Sequence, residues 1–203
     1  MNDALDRLMK SLKETAGSRF IAAKRLEDHD KRLTRLTAFT SAYIIALTIL
    51  PYFIKLPTHV TDAYNLITVG LALVILVSSL LQYSSGDVVN AEQHHRSALE
   101  INEIRRLLLA SQNVTPEVVI DFTNKYNAVL QKYSINHDEM DYKKYQLERS
   151  NEYAWLTRRA KYWIATRLFV IRHAPTTILA VVTVFVVGLL YYGISNSISV
   201  MGR

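Results

Sequence analysis

Hydrophobic residues are distributed very unevenly along this chain. Residues 36–54, 63–86 and 174–202 contain no Asp, Glu, Lys or Arg, whereas the segments between them are densely charged. Each window is long enough to supply the roughly 20 helical residues that cross a bilayer. Unpaired backbone polar groups are costly in hydrocarbon, so an apolar run that enters lipid has to be helical. The pattern predicts an all-α integral membrane protein with an N-terminal transmembrane hairpin and a third, C-terminal transmembrane helix.

The windows divide the chain into four segments. We assign residues 1–35 to a cytoplasmic amphipathic helix, 36–86 to the transmembrane hairpin, 87–173 to a cytoplasmic helical segment, and 174–203 to the third transmembrane helix with a short tail. A soluble bundle is disfavoured, because a chain of 203 residues has few layers in which to bury three apolar helices. A cleaved signal peptide is not expected either, because a signal's basic region is much shorter than the charged segment that precedes residue 36.

Basic residues cluster beside the apolar windows and predict the orientation of the chain in the membrane. Nine Lys and Arg residues precede the first window, and no acidic residue follows Glu152. The link between the first two windows, residues 55–62, carries Lys55 as its one basic residue. By the positive-inside rule, the N-terminus and the long middle segment are cytoplasmic, and the hairpin turn and the C-terminus are outside.

The charged segments also have helical periodicity. Leu5, Leu12, Leu26 and Leu33 recur at multiples of seven residues, and Arg19 stands where another apolar residue would complete the stripe. After the second window, apolar residues at helical spacing predict a return helix that ends near Ser111 and packs on the first helix. Its apolar positions are Ala98, Ile101, Ile104, Leu107 and Leu108.

Three further helical segments are predicted before the last window. Thr115 and Pro116 are typical of a helix start, and an apolar face runs from Val119 through Phe122, Tyr126 and Val129 to Tyr133. Asn136 with Glu139 three residues later resembles a capping box and predicts a helix over residues 137–149. Residues 150–173 are compatible with a helix that mixes aromatic and basic side chains.

Small polar residues inside the first two windows are the best candidates for a functional site. At about 100° per residue, those of each window fall on one side of its helix. Such residues permit close helix packing, and they also suit the lining of a wide, weakly selective pore. The sequence leaves both interpretations open. The candidate lining residues are Thr37, Ser41, Thr48, Thr68, Ser79 and Gln82.

A second candidate site lies before the last window. Its basic and aromatic side chains suit the headgroup level of the bilayer, which makes the lipid bilayer an expected partner. Nucleic acid is not a default partner, because acidic residues interrupt the basic clusters of the N-terminal segment. The predicted interfacial residues are Arg158, Arg159, Lys161, Trp155 and Trp163.

The sequence contains no pattern that is typical of an enzyme. It has no cysteine, and its six glycines form neither a phosphate-binding loop nor a dinucleotide-binding motif. The best candidates for metal ligands are Glu92, His94, His95 and Glu103. Adjacent histidines, however, point about 100° apart on a helix. We therefore expect no catalytic residues, no metal and no cofactor.

The layout resembles the SLATT-domain family of bacterial membrane proteins, over residues 10–195. The resemblance implies an effector of bacterial conflict or antiphage systems that permeabilises the inner membrane when a cytoplasmic sensor or nucleotide signal arrives. It carries over no catalytic residues. The residues that resemble the family's pattern are Ala22-Ala23-Lys24-Arg25-Leu26, Ser78-Ser79, His95-Arg96, Tyr133, Asn136-His137 and Asp141-Tyr142.

Two functions follow as expectations. The first is a homo-oligomeric effector that forms or gates a pore, because two or three helices cannot enclose water within one subunit. The second is a membrane anchor or scaffold that recruits a cytoplasmic partner and conducts nothing, with the polar faces serving only helix packing. An enzyme is disfavoured, since the chain lacks the motifs that the chemistry would need.

Overall fold

The computed structural model describes residues 2–53 and 56–201, and these contain α-helices and no strand. The all-α class predicted from the windows is therefore confirmed. Residues 1, 54–55 and 202–203, from the predicted N-terminal helix, hairpin turn and C-terminal tail, lie outside the described residues. The helices are α1 (Asn2–Phe53), α2 (Thr58–Ser85), α3 (Asp87–Ala110), α4 (Pro116–Lys132), α5 (Glu139–Glu148) and α6 (Arg158–Met201).

Local sequence signals account for most helix ends. α1 continues without a break into the first apolar window and includes Pro51 in its last turn. α2 ends at Gly86, whose φ of 59° lies in the left-handed region that glycine adopts without strain. α4 begins at Pro116, where the missing N–H costs nothing because the first amides of a helix have no partner within it.

The start of α5 differs from the prediction. The N-cap is Asp138, whose side chain accepts from the Met140 amide at 2.9 Å, while Asp141 accepts from the Asp138 amide at 3.1 Å. This is a capping box two residues later than the expected one at Asn136. The shift occurs because Asp141 also binds an arginine of α1, so a tertiary contact selects between two adjacent caps.

Residues 150–157 are not helical, although their composition is compatible with a helix. They form consecutive turns, in which the Tyr153 amide bonds to the Arg149 carbonyl and the Leu156 amide to the Tyr153 carbonyl. Tyr153 and Leu156 are buried by this path. Burial of these two side chains therefore outweighs local helix propensity, and α6 begins only at Arg158.

The described helices form two compact units. The first unit comprises residues 2–29 and 87–171, and the second comprises residues 30–86 and 172–201. Two apolar clusters form the interior of the first unit, one around Leu12, Ile101 and Phe122 and one around Tyr145 and Tyr153. In the second unit, one cluster joins Leu47, Val60, Tyr64, Leu71 and Val186. Both chain segments of the second unit therefore contribute to its core.

Two helical stretches are long and apolar enough to cross a membrane. They are Asp3–Phe53 and Thr58–Ala110, and they contain residues 36–53 of the first apolar window and all of the second. Near the C-terminus, the apolar stretch within the described residues is Thr176–Leu189, which is shorter than a bilayer crossing. By length and composition, the structure therefore contains two candidate crossings for the predicted hairpin, and it supports the predicted third crossing only weakly.

Candidate functional site

The predicted lining residues of α1 lie beside the core of the second unit and not within it. Three positions of α1 in this region are buried, namely Leu36, Thr40 and Leu47. The predicted lining residues each come one position later, at Thr37, Ser41 and Thr48. A step of one residue turns the side chain by about 100° around the helix. Thr37 and Ser41 are accordingly half-buried and Thr48 is exposed. The predicted residues therefore share one side of α1, and this side lies next to the core of the unit.

The α2 candidates are similarly placed. Ser79 is exposed and follows the buried Ser78, while Thr68 is half-buried. Gln82 is also half-buried, and its amide Nε2 donates to Asp30 Oδ1 at 2.7 Å and to Thr34 Oγ1 at 2.9 Å. Gln82 therefore ties α2 to α1 within the second unit, a packing role in addition to any role in lining.

Hydroxyl groups on this face bond mainly to their own helices. Ser41 Oγ donates to the Thr37 carbonyl at 2.8 Å, and Thr48 Oγ1 donates to the Ile44 carbonyl at 2.7 Å. Thr68 Oγ1 makes the same bond to the Tyr64 carbonyl at 2.7 Å. Such bonds satisfy a hydroxyl donor without a neighbouring helix. They are compatible with lipid, with another subunit and with water in a pore.

Other polar groups hold the second unit together, and the sequence interpretation missed them. Tyr43 Oη lies 2.6 Å from Thr183 Oγ1, and Tyr64 Oη donates to the Leu189 carbonyl at 2.7 Å. Thr40 is fully buried, and its hydroxyl has no hydrogen-bond partner among the described residues. The spacing of Leu36, Thr40, Tyr43 and Leu47 by three or four residues is the signal that would have found the α1 members of this set.

The predicted interfacial residues divide between α6 and the turn before it. Arg158 and Arg159 are exposed, Lys161 is half-buried, and their side chains form no ion pair with any described residue. Trp163 is exposed on α6, with Lys143 Nζ 5.6 Å and the Arg167 guanidinium 5.3 Å from its ring centre. Trp155 is not on the helix but in the preceding turns, against the edge of Tyr153.

A buried cation lies inside the first unit at the position where the leucine stripe is interrupted. Arg19 is 3% exposed and donates to Ser97 Oγ and, at 3.2 Å, to the Ile135 carbonyl. Its Nε has no partner, and no described carboxylate pairs with it. Burial lowers the pKa of Arg19 from its ordinary value. In the leucine stripe of α1, Arg19 therefore places a buried guanidinium whose described hydrogen-bond acceptors are neutral groups.

His94 shares this polar interior. It is 4% exposed, and its Nδ1 has no hydrogen-bond partner among the described residues. Burial, aided by the positive charge of Arg19, lowers the pKa of His94 to about 4. The imidazole is therefore neutral at physiological pH, and one positive charge remains in this interior.

Carboxylates anchor α1 to the α5 region of the first unit. Asp141, almost fully buried, receives a forked pair of bonds from Arg25 at 2.8 and 3.0 Å, which raises the pKa of Arg25. Glu14 accepts from Tyr153 Oη at 2.6 Å and from Tyr142 Oη at 3.3 Å. Burial and this carboxylate raise the pKa of Tyr153. These contacts join residues more than a hundred positions apart in sequence.

The histidines considered as metal ligands do not converge. His95 packs edge-on against Phe20 with ring centres 5.6 Å apart, while His94 is buried beside Arg19. Within residues 2–53 and 56–201, no three His, Asp or Glu side chains are placed to hold one ion. No metal centre is therefore assigned.

Comparison with protein families gives one match, to the SMODS and SLOG-associating 2TM effector domain family 5, over residues 1–192. The chain belongs to this family. The resemblance to SLATT proteins seen in the sequence is thereby confirmed, and the match includes residues of both units. Comparisons with curated proteins and with solved structures found no match.

The family description agrees with the architecture. A two-transmembrane effector domain requires two crossings, and two helical stretches of this SLATT protein are long and apolar enough to supply them. Together the family and the helices indicate a membrane effector of conflict systems. The lining and interfacial roles of the residues above stay predictions.

Proposed function

We propose that this SLATT protein is an oligomeric effector that forms or gates a pore in the bacterial inner membrane in antiphage defence, in response to a cytoplasmic signal. The observation that carries the proposal is the polar face of the hairpin. Thr37, Ser41 and Thr48 flank the core of the second unit instead of filling it. In a single subunit the half-buried Ser41 and the exposed Thr48 lie beside this core, and in a ring of subunits such a face can border water.

Oligomerisation follows from the number of helices. Two or three helices do not enclose a water-filled path, so the pore requires several copies, most simply related by rotational symmetry. Small side chains such as Ser79 and Ala72 on the exposed surface of α2 permit close approach of a neighbouring helix. We propose the same hairpin surface as the contact between copies and as the wall of the pore.

The third crossing completes the proposed topology. The last part of α6 is apolar, and its Val186 is fully buried against Leu47 and Tyr64 in the second unit. We propose that this part of α6 crosses the bilayer beside the hairpin. The basic residues before it then keep the N-terminus and the first unit in the cytoplasm, and the C-terminus lies outside.

Gating in this proposal requires no catalytic chemistry and no cofactor. A signal opens the pore only if it binds one arrangement of the cytoplasmic helices more tightly than another. The signal is a small ligand or a partner sensor that contacts the first unit. The lipid bilayer and further copies of the chain are the other partners.

Leakage from liposomes tests conduction. Purified chain is reconstituted and activated with lysate from phage-infected cells, and dye or ion release is recorded. Replacing Thr37→Val, Ser41→Ala and Thr48→Val together removes three hydroxyls with little change in shape, and we expect release to fall at least about tenfold, since an apolar constriction dewets.

Thr177→Val is the matched control. Thr177 is exposed on α6 and bonds to its own helix, to the His173 carbonyl at 3.0 Å, so it carries the same local chemistry outside the proposed lining. Its release should equal that of the unmodified chain. Equal release from the triple variant and the control would remove α1 from the wall, and activated chain that never leaks would end the pore proposal.

The anchor function is the alternative, and the bonds from Gln82 to Asp30 and Thr34 within the second unit favour it. The hydroxyls of Ser41, Thr48 and Thr68 already bond to their own helices, as they do where a polar face serves only packing. A scaffold would retain defence in cells without any loss of membrane potential. A potential-sensitive dye in infected cells therefore separates the two functions.

A further inference from the structure

An arginine of α3 lies at a cleft in the first unit. Arg105 on α3 makes no hydrogen bond or ion pair with any described side chain, and its Nε is buried. Its charge also acts on Glu152, whose pKa is lowered chiefly by Lys13 and to a smaller extent by Arg149 and Arg105. A buried donor of this strength is costly to leave unpaired, which indicates a place for an anionic group.

The cleft has a volume of about 420 Å³. Met9 and Tyr153 line its apolar part, and the Trp155 indole is 68% exposed at its edge. Lys10, Lys13 and Arg105 contribute three positive charges, against the carboxylates of Glu14 and Glu152. The volume lies in the range of small-molecule sites, which are concave and lined by aromatic groups with a few polar ones.

Both carboxylates of the cleft are already engaged. Glu14 accepts from two tyrosine hydroxyls, and Glu152 binds Lys13 at 2.6 Å. Lys10 reaches Glu14 only at 3.9 Å, the outer limit of an ion pair. Arg105 and Lys10 therefore remain available to an incoming anion, beside an exposed indole face.

We propose that this cleft binds a mononucleotide-sized aromatic phosphate. The flat ring stacks on Trp155, and the phosphate is held by Arg105, whose fork of N–H donors matches phosphate oxygens, with Lys10 as a second charge. A free inorganic anion would contact only Arg105 and Lys10. An uncharged aromatic molecule would contact only Trp155. The inference concerns binding and stands separately from conduction.

Tryptophan fluorescence of the full chain in detergent micelles tests the proposal. The chain has two tryptophans, so Trp163→Phe leaves Trp155 as the single reporter. The probes are AMP, GMP, CMP and UMP, with adenosine and inorganic phosphate as the two partial ligands. We expect at least one mononucleotide to quench Trp155 saturably, adenosine to bind at least about tenfold more weakly, and phosphate to compete without quenching.

Arg105→Gln and Arg106→Gln form a matched pair of variants in the Trp163→Phe background. Arg106 is exposed on the same helix and does not line the cleft. We expect Arg105→Gln to weaken mononucleotide binding at least about tenfold and Arg106→Gln to leave it unchanged, since a lost charged hydrogen bond costs about one decade. Thermal unfolding by circular dichroism verifies that both variants are folded.

Three results would overturn the inference. They are the absence of saturable quenching by all four mononucleotides at millimolar concentration, adenosine binding as tightly as AMP, and equal affinities of the two arginine variants. None of these measurements depends on leakage, so a negative binding result does not contradict the pore proposal. Likewise, a chain that binds mononucleotides but never leaks would contradict only the pore proposal.

Discussion

The two units of the chain satisfy their polar groups in opposite ways. In the first unit, Arg25, Glu14 and Arg19 bond to groups far away in sequence, on α3, in the α5 region or in the turns around it. In the second unit, most hydroxyls bond to the backbone one turn earlier in their own helix. Local bonds suit segments that enter lipid, where no water replaces a missing partner. Long-range bonds make the fold of the first unit depend on contacts between segments that are distant in sequence.

Removal of a long-range carboxylate should have the largest effect on stability. Asp141→Ala breaks the forked pair with Arg25 and the cap of α5 together, and we expect it to cost about 3 kcal/mol. Urea unfolding of the purified chain, followed by far-ultraviolet circular dichroism, measures this. Asp121→Ala is the control, because its pair with Lys125 is exposed and should be worth less than about 0.5 kcal/mol. Similar losses in both variants would contradict the buried-pair argument.

Acid should weaken the first unit through His94. Its pKa is about 4 in the folded state against an ordinary value of 6.5, so the unfolded chain takes up the proton first as the pH falls. Stability is therefore retained above about pH 6.5 and lost progressively down to about pH 4, by roughly 3 kcal/mol in total. His94→Gln should flatten this dependence, and His95→Gln, at an exposed position, should not. An unchanged slope in His94→Gln would contradict the assignment.

Substitution of a glycine by alanine tests how tightly each unit is packed. A methyl group at Gly17 would overlap the ring of the fully buried Tyr145, whereas one at Gly70 would meet nothing within 4 Å. We expect Gly17→Ala to destabilise the chain by about 2 kcal/mol through overpacking, and Gly70→Ala to be neutral or slightly stabilising. Thermal unfolding in one detergent compares the pair. Equal melting temperatures would show that α1 and α5 pack less closely than described.

The smallest expected effect tests a hydroxyl that does reach another segment of the second unit. Tyr64→Phe removes the bond from Oη to the Leu189 carbonyl and should cost about 1 kcal/mol. Tyr52→Phe is its control, since that side chain is 86% exposed. Proteolysis of reconstituted chain, with cleavage near the C-terminus as the readout, measures whether the end of α6 is released. No difference between the variants would mean that packing around Val186, not this bond, holds α6.

Periodicity predicted the helices and their apolar faces because both are local properties. Ile101, Ile104 and Leu108 of the return helix are buried, as are Phe122 and Val129 of α4. Leu107 is an exception, being 54% exposed, because the spacing of Leu107 and Leu108 does not say which of them faces the core. The start of α5 and the turns before α6 were mispredicted, since distant side chains decide both.

The sequence predicted which residues of the candidate site share one side of a helix, but not what that side packs against. Thr37, Ser41 and Thr48 share one side of α1 by helical geometry alone. Their position beside the core depends on α2 and α6, and Thr40 and Ser78, which are buried, were not selected. The cleft at Arg105 has no sequence signature, because α1, α3 and the turns before α6 each contribute only a few of its residues.

The sequence by itself determined the all-α class, the apolar hairpin and the family, because window length, charge and helical period need no knowledge of distant contacts. Only the tertiary structure decided that Arg19 replaces a leucine in a buried stripe, that Gly17 makes room for Tyr145, and that Arg105 and Trp155 line one cleft. Each of these depends on groups brought together from separate helices. Their free energies arise from close packing and desolvation, which have no period along the chain.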